Sequence, residues 1–177
     1  MDNRRDDSQQ KIELMIKIIL RTDGYISSAN TKSTILLSLS SALFAAILLN
    51  YDKFLNRLTN VGDKYVLSVI AIASMILLLM AIFHSLQGIV PLMEPSSKKN
   101  IFSFVDLLHY HNDVNKYIDA INEKKSAEMI GSLASLNFNL STSLKSKYNN
   151  QKKSIEYITL ALMSIGLMIV IIVFSQI

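Results

Sequence analysis

Two histidines flank a tyrosine at His109, Tyr110 and His111, and four lysines cluster at Lys145, Lys147, Lys152 and Lys153. The imidazoles could in principle hold a metal ion, but side chains two residues apart on a helix leave it about 200 degrees from each other. They cannot share one ion without distorting the helix, so they read as surface or packing groups and no metal site is expected. The lysines suit an anchor on anionic lipid or, alternatively, the phosphate of a nucleotide. Cysteine is absent, which removes disulfides, thiolate nucleophiles and cysteine-ligated metals together. The chain has no glycine-rich phosphate loop followed by lysine, no paired-histidine zinc helix and no nucleophile elbow. No enzymatic activity is expected of it.

These groups must be carried by long apolar helices. Half of the 177 residues are hydrophobic and 18% are charged, with a mean hydropathy of +0.32, too apolar for a soluble chain unless long runs leave water. Three such runs exist: Thr34 to Leu49, Val66 to Phe83 and Tyr157 to Phe174. The first spans about 24 Å as a helix, slightly short of a ~30 Å hydrocarbon core. Lys32 can snorkel and Tyr51 can sit in the interface, so the span still works. The second ends near Pro91, which lacks an amide donor, with His84 close to that end. An ionisable group there is either functional or hydrogen-bonded to a neighbouring helix. Along the first span Thr34, Ser38, Ala42 and Ala46 recur every four residues, a face on which helices could approach closely in lipid. Its partner is either another helix of this chain or a second protomer, and it is the expected contact for a homo-oligomer.

The expected fold is an all-α integral membrane protein with three transmembrane helices, a cytoplasmic helical hairpin and an N-terminal amphipathic helix. Residues 1–33 form that helix and a polar collar, Ser28-Ala29-Asn30-Thr31-Lys32-Ser33, at the mouth of the first span. The charged start lacks a cleavage pattern and is not expected to be a signal peptide. Ile12, Met15, Ile16 and Ile19 fall on one helical face, which packs on the protein's own helices or lies on the membrane surface. Residues 34–93 hold the first two spans, joined by a polar connection from Asp52 to Lys64. Residues 94–154 form the hairpin: Phe104, Leu107, Leu108, His111 and Ile118 sketch one face, Ile130, Leu133, Asn137, Leu140 and Leu144 a second, and Asn122 to Lys125 the turn. Residues 155–177 hold the third span, and nothing between Lys145 and Ile155 stops the helix from about Ser126 running into it. Lys and Arg number six in residues 1–33, three in 52–64 and nine in 94–153. Basic flanks stay cytoplasmic, which predicts a multi-pass protein with its N-terminus and hairpin inside. The formal charge of +4 is modest, and no nucleic-acid partner is expected.

Ala29-Asn30-Thr31-Lys32-Ser33 resembles the alanine-aspartate-threonine-lysine-alanine signature of the Pycsar transmembrane effector family. The second span ending at Pro91, the Ile101-Phe102-Ser103-Phe104 segment with Asp106, a helix containing Tyr117, a leucine-rich helix and Lys147-Tyr148 before the last span are similar to that family in order and spacing. The likeness runs from about residue 13 to residue 174. Asn30 and Ser33 depart from the usual aspartate and alanine. Asparagine both donates and accepts, so a hydrogen-bonding role at position 30 survives.

The resemblance implies a bacterial antiphage effector that responds to cyclic UMP or cyclic CMP and impairs the inner membrane, so that infected cells die before phage mature. On that basis the expected ligand contacts are Lys32 and Lys147 for the phosphate, Asn30 for a base edge or a structural bond, and Tyr110 or Tyr148 for stacking, with Asp106 beside them. Each has a structural alternative: Lys32 as an interface anchor, Tyr148 as packing, Asp106 as a helix-start charge. The collar, His84, Phe102 to Asp106 and Lys147-Tyr148 are expected near one cytoplasmic plane. Beyond the activating nucleotide no cofactor is expected. A holin-like or toxin-like pore former without nucleotide control, and a structural subunit that docks a partner on the hairpin, are the competing readings.

Overall fold

With five glycines and two prolines in 177 residues, little interrupts helix propagation, and the described chain is built from five helices. The computed structural model describes residues 2–91, 99–111 and 113–175. They form α1 (Asp2–Asn56), α2 (Val61–Ile89), α3 (Phe104–Tyr110), α4 (Val114–Asn122) and α5 (Ser126–Phe174), and no strand occurs among the described residues. The expected start of the aqueous region at Glu94 lies outside them.

α1, α2 and α5 are each long and apolar enough to cross a bilayer. Ile72, Ile76, Leu79 and Phe83 on α2 and Leu160, Met163, Leu167 and Val170 on α5 are exposed. Such a continuous apolar exterior suits lipid rather than water, since lipid tails impose no penalty on exposed hydrocarbon. The chain is a membrane protein with three spans. α5 is unbroken through Lys145 to Ile155, as the absence of a stop signal predicts.

The described residues divide into two compact units, Met1–Ser28 with Pro91–Ser146, and Ala29–Val90 with Lys147–Ile177. In the second unit the buried residues of α2 are Leu67, Ala71, Ser74, Leu78, Ala81, Ser85 and Gly88, a strict alternation of four and three. α5 repeats the pattern at Lys147, Gln151, Ser154, Ile158 and Ala161. A seven-residue repeat keeps one seam of each helix facing its neighbours along the whole contact. Ile47, Leu67, Leu78, Ala161 and Met168 form the apolar part of the seam, with Leu58 plugging the turn after α1. Ser74 and Ser164 share a hydroxyl hydrogen bond of 2.6 Å across it.

Several expectations shift. The connection from Asp52 to Lys64 contracts to residues 57–60, because Phe54 and Leu55 pack on the core and prolong α1. Asn60 then caps α2 by accepting from the Gly62 amide at 2.9 Å. Thr34, Ser38, Ala42 and Ala46 are all exposed; within the chain α1 packs through Ala29, Ser33, Ser40 and Ile47 instead.

In the first unit Ile12, Met15 and Ile19 turn inward but Ile16 is exposed, since the inward stripe advances by alternating threes and fours. Thr22 donates its hydroxyl to Asn137 of α5 at 3.0 Å, so this helix packs on its own chain. The inward face of α5 from Ile130 to Leu144 is the one its three-four spacing predicts. The opposite arm differs: Phe104, Leu108 and Ile118 are exposed, while Ile101, Asp106 and His111 are buried. The arm breaks after Tyr110 and restarts with Asp113 capping α4 through the Asn115 amide, which resets the helical phase.

Candidate functional site

α5 enters the second unit with Lys147, Gln151 and Ser154 on one face, and each ties α5 to another helix. The Lys147 ammonium donates to the carbonyls of Gly88, Ile89 and Val90 at 2.9, 3.1 and 3.2 Å. These carbonyls close α2, where intrahelical donors have run out and the helix dipole favours a cation. Lys147 is almost wholly buried, so this is a C-cap supplied in trans by a neighbouring helix. Gln151 donates to the Ala29 carbonyl at 2.6 Å and to the Ser33 hydroxyl at 3.0 Å, joining α5 to α1. Ser154 donates to the Ala81 carbonyl at 3.1 Å and lies 2.8 Å from the Ser85 hydroxyl, joining α5 to α2 again.

The layer depends on close approach. A Cβ at Gly88 would collide with the Ser33 hydroxyl and lie 3.3 Å from its Cβ, so Gly88 lets α1 and α2 meet where Gln151 reaches across. One turn away His84 contacts Asn150 through Nδ1 at 3.2 Å and stacks on Tyr157 with ring centroids 5.5 Å apart. Of the two alternatives for His84, hydrogen bonding to a neighbouring helix is the one the geometry presents.

The six sequence-derived ligand residues separate into two groups. Asn30, Lys32, Lys147 and Tyr148 belong to the second unit, Asp106 and Tyr110 to the first. Lys32 sits over the Tyr148 ring, its Nζ 6.0 Å from the centroid, and both side chains are exposed. Asn30 leaves the same helix about 200 degrees from Lys32, so the two do not converge on one ligand. Its Oδ1 is buried without a hydrogen-bond partner among the described residues. Lys147 has three N–H donors and all three are spent on the end of α2, which leaves none for a phosphate in this conformation. Asp106 is fully buried in the first turn of α3, where its amide donates to Ser103 Oγ at 3.3 Å. Tyr110 is partly exposed, with the His109 ring edge-on at 4.7 Å.

In the first unit a second polar cluster surrounds the loop before α3. Asn100 is buried; it donates to the Ser132 carbonyl at 2.8 Å and accepts from the Phe102 amide at 3.0 Å. Tyr117 donates to the Ile101 carbonyl at 3.1 Å and packs against the His111 ring. Lys124 donates to the Ser132 hydroxyl at 2.7 Å. Burial, and then the charges of Lys99 and Lys124, hold the His111 imidazole below its usual pKa.

Gln151, Ser154, Ser85 and Gly88 were not singled out from the sequence. The four-three spacing of Lys147, Gln151 and Ser154, matched by Ala81, Ser85 and Gly88, is the signal that marks them. Asn100 and Lys124 carry no periodic signal, because loops and turns place them.

Three apolar spans pinned together by a buried lysine, glutamine and serine define an all-helical, multi-pass membrane protein with a polar layer inside its bundle. Residues 14–175 match the Pycsar effector protein domain, and the chain belongs to that family, which makes it an antiphage defence effector. It is similar to the Pycsar effector protein EcPycTM of Escherichia coli, 29% identical over 151 residues that cover 81% of this chain and 80% of that protein. No solved structure matches the chain at a significant level.

Proposed function

We propose that the protein senses a cyclic pyrimidine mononucleotide, cyclic UMP or cyclic CMP, and responds by impairing the bacterial inner membrane, ending growth of the infected cell. The N-terminus and the first unit face the cytoplasm, as the placement of Lys and Arg indicates. The observation that carries the reading is the polar layer of Lys147, Gln151 and Ser154, which fastens α5 to both other spans through side chains that must lose those partners if the bundle opens. Hydrogen bonds between transmembrane helices are individually modest, about 0.6 kcal/mol on average. A layer of several makes a closed state that a ligand can overturn.

A ligand moves such an equilibrium only by binding one state better. Driving a closed population from 1:99 to 99:1 open takes about 5.5 kcal/mol of differential binding, which copies of the protein could share. The exposed Thr34, Ser38, Ala42 and Ala46 face is available for those copies to meet.

The test is dye release from liposomes containing the purified protein, with cyclic UMP, cyclic CMP, cyclic AMP or cyclic GMP added. Leakage confined to one pyrimidine nucleotide is expected. Constant leakage would instead indicate a holin-like pore, and silence with all four a subunit that docks a partner.

A further inference from the structure

The first unit holds a cavity of about 580 Å³, within the roughly 300–1,000 Å³ usual for small-molecule sites. It is half open to the outside and is lined by Lys99, Asn100, Lys124, Glu128, Gly131, Ser132 and Ser135, whose hydrocarbon stems supply more of the wall than their polar atoms do. Asn100 and Lys124 are both held against Ser132, at 2.8 and 2.7 Å, so one position on α5 fixes the loop before α3 and the turn before α5 as walls of the same cavity. Neither lysine forms an ion pair among the described residues. Outside that lining, His111 is 7% exposed and its Nε2 has no hydrogen-bond partner among the described residues. A buried polar atom left without a partner calls for an explanation, and here it lies within the field of both ammoniums.

We propose that this cavity seats a small nucleotide through its phosphodiester, with the Lys99 and Lys124 ammoniums on the phosphate oxygens and the Glu128 carboxylate accepting a ribose hydroxyl. This rests on the nucleotide-sensing reading above and adds a place for it. Two ammoniums against one carboxylate leave a single positive charge, which matches the single negative charge of a cyclic phosphodiester. A 5′-monophosphate carries nearly two and would be left partly unneutralised beside Glu128. Ser132 offers a hydroxyl in the same wall. Gly131 meets nothing within 4 Å of where a Cβ would stand, so the floor is open on that side.

The experiment uses the full chain in nanodiscs of zwitterionic lipid, with binding measured calorimetrically for cyclic UMP, cyclic CMP, 5′-UMP, inorganic phosphate and short-chain phosphatidylglycerol. Wild type should bind one cyclic pyrimidine nucleotide more tightly than 5′-UMP. Lys99→Gln with Lys124→Gln, which keeps much of the apolar stems, should lose roughly a hundredfold in affinity, about tenfold for each charge-assisted contact. Glu128→Gln should narrow the gap between cyclic UMP and 5′-UMP, while Lys53→Ala, in the last turn of α1 in the other unit, should bind as wild type does.

Undiminished nucleotide binding by the folded double variant would overturn the proposed seat and leave nucleotide sensing intact. Binding of phosphate or phosphatidylglycerol, but not of cyclic nucleotide, in a manner that needs both lysines would support a phosphate site and refute nucleotide sensing. Absence of binding by every probe would overturn both. Helical circular dichroism and its melting profile confirm that each variant is folded.

Discussion

Replacing Lys147 with methionine isolates the clasp that ends α2. Methionine keeps most of the stem and removes the ammonium, while the acceptors, being backbone, cannot be removed with it. Three hydrogen bonds of 2.9 to 3.2 Å are lost, each worth about 1 kcal/mol net, above the average between transmembrane helices because the donor is charged, and the helix end loses a cation worth up to about 1 kcal/mol more. Relief of the ammonium's desolvation offsets part of this, leaving a destabilisation of about 3 kcal/mol. Such a change shifts the balance between clasped and unclasped bundles roughly 150-fold. Reversible unfolding in mixed detergent micelles, followed by helical circular dichroism, reads it directly. In the liposome assay the same variant should leak without nucleotide, because opening has been brought closer. Stability within about 0.5 kcal/mol of wild type, a typical neutral substitution, would refute the clasp as a structural tie.

Two further outcomes follow from particular contacts. Gly88→Ala should destabilise the bundle by about 1–3 kcal/mol through overpacking against Ser33, and Ser33→Gly placed with it should recover part of the loss, a non-additivity that a double-mutant cycle measures. His111 is held neutral by burial and by Lys99 and Lys124, with Tyr117 against its ring. Its folded pKa lies below the unfolded value near 6.5, so its contribution to stability is complete above that value and is lost as pH falls towards the folded pKa. His111→Phe should therefore flatten the acid limb of a stability-against-pH curve.

Much of this molecule was legible in its residues because lipid imposes a simple demand. Long apolar runs must satisfy their backbone internally, so Val66 to Phe83 and Tyr157 to Phe174 could only be helices. The scarcity of glycine and proline let α1 and α5 run through their polar stretches unbroken. The family likeness, carried by Lys32, Asp106 and Lys147-Tyr148 in order along the chain, was visible at the same level. The residues of the polar collar play different parts: Ser33 and the Ala29 carbonyl meet Gln151 inside the bundle, Lys32 lies outside over Tyr148, and Asn30 points elsewhere.

Residue types and order thus determined that the chain is helical, how many times it crosses the bilayer and which family it belongs to, since these depend on summed hydrophobicity and local periodicity. Tertiary structure decided which side of each helix is inside. Lys147 carries the same charge whether it faces lipid headgroups, a phosphate or the end of α2; only the register of α5 against α2 brings three carbonyls to its ammonium. Likewise Lys99 and Lys124, 25 positions apart in the chain, become neighbours of one cavity because Asn100 and Ser132 hold a loop against a helix. Contacts between residues distant in sequence depend on register, and register depends on every buried side chain along the seam at once.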